Sequence, residues 1–293
     1  MQLHAPEKFN NAELVGVFDS GSPEWLLARY SGIGGSDIGT IIGLNPYESA
    51  YALWAKKTKQ IPENDLSDNM RVKFGQKFEE PILEIWAEAN PDWVVYHTGT
   101  YRHSEQTYMM ANPDALAHNP NTGEWMLIEV KTAAMNWDEV PAHYYAQVQH
   151  YLFVMGIKKA KLIGVVGWNW WESDIEADEF EISVQREYAA KFWESIQLMR
   201  KPEWDGSEAT FKAVKALNPY IDDSEIELSF GAELLDAQKK ADEAYKHLNY
   251  LKSMTLDTMG KARYAYSIID GAEVRVASRQ MRAGAPTLIV RRK

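Results

Sequence analysis

Residues 107–133, TYMMANPDALAHNPNTGEWMLIEVKTA, constrain this chain more than any other stretch. Two apolar runs flank Asn119-Pro120-Asn121-Thr122-Gly123, a sequence of residues that favour tight reversal, so the segment reads as two strands around a turn. With the reversal centred between Asn121 and Thr122, Asp114 lies directly opposite Glu129. Side chains so opposed have Cβ atoms about 4.5–5.5 Å apart. In Ile128-Glu129-Val130-Lys131, alternation sends Ile128 and Val130 to a core and puts Glu129 and Lys131 on the face of Asp114. Two facing carboxylates repel unless a cation sits between them. Hard oxygen ligands of this kind suit Mg²⁺, and a neighbouring lysine can activate or orient a water. The plain alternative is an edge hairpin with solvated charges.

The rest of the chain supplies the frame. Ser22-Pro23-Glu24 opens a helix through Tyr30, with serine as cap, proline in first position and an acid in the first turn. A second helix is expected over Asp37–Gly43 and a third over Ser49–Lys57, with a polar loop at 60–68. Met70–Ala89 is an amphipathic helix whose apolar positions are Phe74, Phe78, Ile82, Ile85 and Trp86. Strands are expected over Trp93–His97 and Gly99–Arg102. A helix from Pro141 to Met155 is closed by Gly156, and Ala160–Trp168 reads as a strand. This order predicts an α/β (α+β) fold, a mixed β-sheet flanked by helices. Tyr188–Arg200 is a further helix. Residues 203–230 read as an acidic linker. Gly231–Gly260 is one long helix with a coiled-coil-like seam at Leu234, Ala237, Ala241, Ala244, Leu248 and Leu251. Strands follow at Tyr264–Ile269, Glu273–Ala277 and Thr287–Arg291, the first pair joined by an Asp270-Gly271 turn. The expected division is a core at 1–205 and, at 206–293, an extension made of a helix and a β-hairpin.

Composition narrows the chemistry. The 293 residues include no cysteine, which excludes disulfides, zinc–thiolate sites and a cysteine-ligated Fe–S cluster. No apolar run approaches the length of about 20 residues that spans a bilayer, and the N-terminus lacks the pattern of a signal peptide. A cytoplasmic location fits these features. The net charge of −11 is the wrong sign for a phosphate-binding protein as a whole, but charge is segregated. Residues 271–293 carry Arg275, Arg279, Arg282, Arg291, Arg292 and Lys293 against Glu273 alone. GIGGSDIG lacks the lysine of a P-loop, which argues against nucleoside triphosphate binding. His97, His103, His118, His143 and His150 show no tight metal spacing, and most are expected to be structural or solvated. Trp168, Trp170 and Trp171 are expected in the core or an interface.

Pro113-Asp114 with Glu129-Val130-Lys131 resembles the PD-(D/E)XK nuclease motif. Four blocks together resemble the lambda-exonuclease (YqaJ) family of phage recombination nucleases: Arg29 with GIGGSDIGTIIGLNPYES, then FGQKFEEPIL, ANPDA with LIEVKT, and YYAQVQHYLFVMG. The resemblance runs over residues 23–170. It implies a restriction-endonuclease-like fold and Mg²⁺-dependent hydrolysis of phosphodiesters, with Mn²⁺ as a substitute. It further implies a deoxyribonuclease digesting linear double-stranded DNA from 5′ ends in a bacterial host cell. The single-stranded overhangs so produced would serve phage-type recombination. A homo-oligomer, with a trimer ring favoured, and a single-strand annealing protein as partner are also implied.

Carried over residue by residue, the resemblance makes Asp114, Glu129 and the carbonyl of Val130 metal ligands. Glu79 becomes the helix acid supporting that metal, and Lys131 the lysine that orients or deprotonates water. Gln147 lies near the nucleophilic water, with Tyr144 about one turn before it. Arg29 and Ser36 would hold a terminal 5′-phosphate. An arginine fork grips phosphate oxygens, and a helix N-terminus offers free N–H groups to an anion. Other readings remain: an endonuclease of the same fold, or a catalytically inactive module binding DNA ends or protein. The intact Asp114, Glu129 and Lys131 set argues against the inactive module, and the Arg29–Ser36 block favours exonuclease over endonuclease.

Overall fold

The computed structural model describes residues 4–19, 21–63, 68–282 and 284–291. Two compact units divide the chain, Met1–Ile221 and Asp222–Lys293. In the first unit the elements run β1 (Lys8–Phe9), β2 (Ala12–Gly16), α1 (Pro23–Tyr30), α2 (Gly35–Ile41), α3 (Ala50–Lys57), α4 (Met70–Ala89), β3 (Val94–His97), β4 (Thr100–His103) and β5 (Met110–Ala111). They continue with β6 (Ala115–Asn119), β7 (Glu124–Ala133), α5 (Ala142–Met155), β8 (Lys159–Val166), β9 (Asn169–Glu176), α6 (Glu179–Gln197) and α7 (Glu208–Leu217). The fold is mixed α/β.

The five-stranded sheet has the order β3-β6-β7-β8-β9. The hairpin of β6 and β7 pairs Ala115 with Ile128 and Asn119 with Glu124. Continued by one residue, this register sets Asp114 against Glu129, as the turn chemistry predicts. The hairpin is not an edge. β7 also pairs in parallel with β8, joined to it by α5, so β7 is the central strand. Both of its faces are therefore covered. Ile128 and Val130 pack with Ile82, Leu83 and Trp86 of α4. Leu127 belongs to the larger core on the opposite face, with Ala146, Val148 and Leu152 of α5. Glu129 and Lys131 alternate in step with Leu127, so they point toward α5. A smaller antiparallel sheet, β1-β2-β4-β5, stands beside this arrangement.

The caps behave as the sequence indicates. Ser22 Oγ accepts from Trp25 N at 3.1 Å, Ser49 Oγ accepts from Ala52 N at 3.1 Å, and Gly156 ends α5 with φ 65°. Four readings change. In α4, Ile82, Leu83 and Trp86 are buried, whereas Phe74, Phe78 and Ile85 are exposed. Phe74 and Phe78 instead stack on each other with centroids 4.3 Å apart. The N-terminal half of α4 runs past Thr132 at the end of β7 rather than over the sheet, Gly75 being the near point. Helix α6 begins at Glu179, well before Tyr188, because Asp178 caps it through Phe180 N and Glu181 N. The 203–230 stretch is not all linker: α7 lies within it, burying Thr210 and Ala213 beside Tyr51 and Ala52 of α3. Trp168 is 86 % exposed at the β8–β9 turn, with φ 70°, and Trp170 is exposed as well, while Trp171 packs edge-on against Trp137 as expected.

The second unit consists of α8 (Gly231–Met259) and the antiparallel sheet β10 (Tyr264–Ile269), β11 (Ala272–Arg282) and β12 (Ala285–Val290). Its seam residues Leu234, Leu248 and Leu251 are exposed. The two basic residues Arg292 and Lys293 fall outside the described residues. Among the described residues no helix is long and apolar enough to cross a membrane.

Candidate active site

The strand β7 delivers Glu129 and Lys131 to the floor of a site that α5 closes from above. Glu129 is buried, and its Oε1 accepts from Lys131 Nζ at 2.5 Å and from Gln147 Nε2 at 2.6 Å. Its other oxygen, Oε2, is buried without a hydrogen-bond partner among the described residues. Asp114 sits where the chain enters β6, and its Oδ2 accepts from Val130 N at 2.6 Å. Val130 thus ties the two acids through its backbone while its side chain packs toward α4. The Lys131 ammonium also lies 5.1 Å from the centre of the Tyr144 ring.

Charge in this cluster does not balance. Burial pushes the Glu129 carboxyl up to about 8, and the neighbouring Asp114 and Glu79 push the same way against Lys131. Burial, then Asp114, raises Glu79 to about 7. Asp114 is raised too, again by burial, with Lys131 and the Val130 N–H opposing. Burial works against the Lys131 ammonium, yet Glu129 and Asp114 outweigh it and hold its pKa above the ordinary lysine value. As the site stands, the Lys131 ammonium is spent on its hydrogen bond to Glu129.

Glu79 and Glu80 are adjacent in sequence, and the fold separates them. Glu79 shares the field of Asp114, Lys131 and Glu129, whereas Glu80 Oε1 lies 3.6 Å from His97 Nε2 on a more exposed face. Among the described residues no three His, Cys, Asp or Glu side chains stand close enough to form a metal cluster by themselves. The donors nevertheless fit a hard cation. Two facing carboxylates offer oxygens only, one of those oxygens is buried and unpartnered, and the present partners of Glu129 are an ammonium and an amide that a cation would compete with.

A second charged cluster adjoins the first. Arg29 ends α1 and Asp37 lies in the first turn of α2. Arg29 Nη2 approaches Asp37 Oδ1 at 3.3 Å, Lys57 Nζ approaches Asp37 Oδ2 at 2.6 Å, and Gly34 N donates to Asp37 Oδ2 at 2.9 Å. Burial would raise the Asp37 carboxyl, but Lys57 and Arg29 more than reverse it and hold it low. Ser36 is exposed in the same first turn.

The two clusters meet because α2 carries Gly35 and Gly39 one turn apart. A Cβ at Gly35 would lie 2.4 Å from Tyr151 Cε1 and 2.9 Å from Gln147 Cγ, and one at Gly39 would lie 3.2 Å from His143 Cβ. Only glycine lets the N-terminus of α2 rest on the helix that holds Gln147. Tyr151 then bridges the clusters: its hydroxyl oxygen accepts from Gln147 Nε2 at 3.2 Å, and it feels the charges of both Glu129 and Arg29.

The histidines hold structure. His103 Nδ1 accepts from Glu105 N and Gln106 N, His118 stacks on Trp125, and burial pushes His150, bonded to Met110 O, down to about 4.

Residues 24–158, which hold every residue of both clusters, match the family model of the YqaJ-like viral recombinase domain. This segment is a YqaJ-like viral recombinase domain. The chain is 33 % identical over 204 residues to YqaJ of Bacillus subtilis (strain 168), a protein itself uncharacterised. That match takes in 66 % of this chain and 62 % of the relative, so the chain spans about three fifths of the relative's length. In fold, the chain is similar to the alkaline exonuclease LHK-Exo from Laribacter hongkongensis, with a TM-score of 0.51 at 16 % identity, covering 61 % of this chain and 94 % of that one. The same exonuclease is known in complex with dAMP, again at a TM-score of 0.51.

Three residues of these two clusters escaped the sequence reading: Asp37, Lys57 and Tyr151. Tyr151 had a usable signal, since it follows Gln147 by four residues on a helix and must share its face. Lys57 had none, because its partners lie on other helices.

Proposed function

We propose that the chain is a Mg²⁺-dependent deoxyribonuclease that digests linear double-stranded DNA from 5′-phosphorylated ends, leaving single-stranded overhangs for recombination. The observation that carries this reading is Glu129 Oε2, a buried carboxylate oxygen without a hydrogen-bond partner among the described residues, facing Asp114 in a cluster with more acid than base. Lys131 is one cation for three acids, and a buried carboxylate short of counter-charge costs several kcal/mol, so the arrangement supports a further cation as its missing member.

Asp114, Glu129 and the Val130 carbonyl would hold Mg²⁺, with Glu79 supporting it. Bound there, the ion would polarise a phosphoryl oxygen and lower the pKa of a water. Lys131 keeps its proton and offers charge to the phosphate and orientation to the attacking water. Gln147, fixed by Tyr151 and Glu129, limits where that water can sit. Arg29 and Ser36 grip the terminal phosphate and so select ends. Kinship with the YqaJ-like domain and the fold of LHK-Exo support the reaction class, and the dAMP complex of LHK-Exo supports a deoxynucleotide ligand. A ring of like subunits, a trimer by family analogy, would keep the enzyme on its product, and a single-strand annealing protein would receive the overhang.

The deciding assay uses linear duplex labelled at either end beside a closed circle, in Mg²⁺ or Ca²⁺. Stepwise release from 5′-phosphorylated ends, in Mg²⁺ only and with the circle intact, is the expected result. Cutting of the circle would mean an endonuclease, and no cutting at all an inactive end-binding module.

A further inference from the structure

Lys57 is buried, charged and wholly occupied. Its Nζ donates to Asp37 Oδ2 at 2.6 Å, to Arg29 O at 2.6 Å and to Gly32 O at 2.7 Å, and its side chain is 1 % exposed. An ammonium has three protons, so no donor is left to reach a ligand. Arg29 differs. Its side chain is 32 % exposed, its contact to Asp37 is the longest in the cluster at 3.3 Å, and its guanidinium lies 4.8 Å from the centre of the Trp25 ring. Of the five N–H donors that a guanidinium carries, the contact to Asp37 engages few.

The charge count follows from these contacts. Asp37 is in contact with two cations, Lys57 and Arg29, and the exposed one of the two is the arginine. The other acids near Arg29 are Glu48 and Glu63. Lys56 is nearer to both, its Nζ lying 2.6 Å from Glu48 Oε1 and 3.7 Å from Glu63 Oε2, so three acids and three cations balance here and of these acids only Asp37 touches Arg29. Without Lys57, Asp37 would face Arg29 alone at short range in a buried setting, where opposite charges pair most strongly.

We infer that Lys57 is a specificity-determining positioning residue: by neutralising Asp37 it leaves the Arg29 guanidinium free to receive a terminal phosphate monoester. This rests on the end-binding role proposed for Arg29. Asp37 then serves to aim the arginine, and Lys57 keeps that aim from becoming a closed ion pair. The same ammonium ties the carbonyls of Arg29 and Gly32, which fixes the end of α1 against the start of α2.

The test uses the full chain and two duplexes identical except for a 5′-phosphate or a 5′-hydroxyl. The readout is the ratio of single-turnover rates on the two, which general loss of fold or of catalysis does not change. Lys57→Met is expected to lower the ratio about ten- to a hundredfold, the worth of charge-assisted hydrogen bonds, to the level of Arg29→Ala. The double variant Lys57→Met with Asp37→Asn is expected to restore it, because Arg29 no longer faces a charged Asp37. Asp37→Asn alone should keep or raise the ratio. Lys57→Met at the wild-type ratio, beside an Arg29→Ala that has lost it, overturns the inference alone. A double variant that stays as low as Arg29→Ala also overturns it, and this arm decides the matter if Lys57→Met does not fold. An Arg29→Ala that keeps the ratio removes the end pocket and the inference with it.

Discussion

The two charged clusters of the YqaJ-like domain are built from the same kinds of side chain and reach opposite balances. Around Glu129, three acids share one lysine, all the carboxyls are raised above their ordinary values, and one buried oxygen has no partner. Around Asp37, two cations share one acid, and that acid is held low. Burial is common to both, so burial does not explain the difference; the ratio of partners does. A buried cluster with excess acid is a seat for a cation, and one with excess base is a seat for an anion. The two are linked by Tyr151 and by the close contact of Gly35 with Gln147. On the proposed function, this would set the phosphate seat next to the metal seat, as a nuclease acting at ends requires.

The sharpest way to break this comparison is to remove the one cationic side chain of the acidic cluster. Lys131→Ala should abolish turnover in Mg²⁺ or Mn²⁺, a loss of about a hundredfold or more, while cation and DNA binding persist because the acids remain. Asp114→Ala should lose cation binding as well as turnover. Turnover by Lys131→Ala at the wild-type rate would sink the proposed mechanism.

The basic cluster is tested next. Arg29→Ala should slow digestion of 5′-phosphorylated duplex about ten- to a hundredfold more than that of 5′-hydroxyl duplex. An equal effect on both would take Arg29 out of the end pocket.

A smaller, thermodynamic effect separates the clusters by pH. In the cation-free fold Glu79 and Glu129 keep protons that an unfolded chain has lost. Their raised values therefore add stability that is complete below the ordinary value of 4.5 and is lost as pH rises through about 7 and about 8. Mg²⁺ binds the deprotonated carboxylates, so the rise in melting temperature on adding Mg²⁺ should be larger near pH 8.5 than near pH 6. A rise that is the same at both, or larger at the lower pH, would mean that Glu129 and Glu79 are not where the cation binds.

The smallest effect is expected from the second unit. Deleting residues 222–293 should leave the melting of the first unit intact. Cutting at residue 206 should lower it, because that removes α7, whose Thr210 Oγ1 donates to Ser49 Oγ at 2.8 Å and whose Ala213 is buried. The basic tail is proposed to add phosphate contacts. Its Arg275 guanidinium lies 4.1 Å from the centre of the Tyr264 ring and Arg279 donates to Gly260 O, and the salt dependence of DNA binding should become shallower on deletion. An unchanged slope would leave the tail without that role.

What the sequence determined by itself was local. Turn chemistry at Asn119–Gly123 and the two-residue period of a strand were enough to oppose Asp114 to Glu129 and to set Lys131 beside them. Caps at Ser22, Ser49 and Gly156 bounded their helices for the same reason, since each acts within about one turn of its own chain. Only tertiary structure decided the rest. It made β7 central rather than an edge, chose Glu79 over Glu80, exposed Phe74, Phe78 and Trp168, and folded α7 out of an acidic stretch. It also assembled Arg29, Asp37 and Lys57, whose meeting depends on how α1, α2 and α3 pack. Periodicity and capping operate between neighbours in sequence, whereas the balance of a buried charge cluster depends on partners that only packing brings within reach.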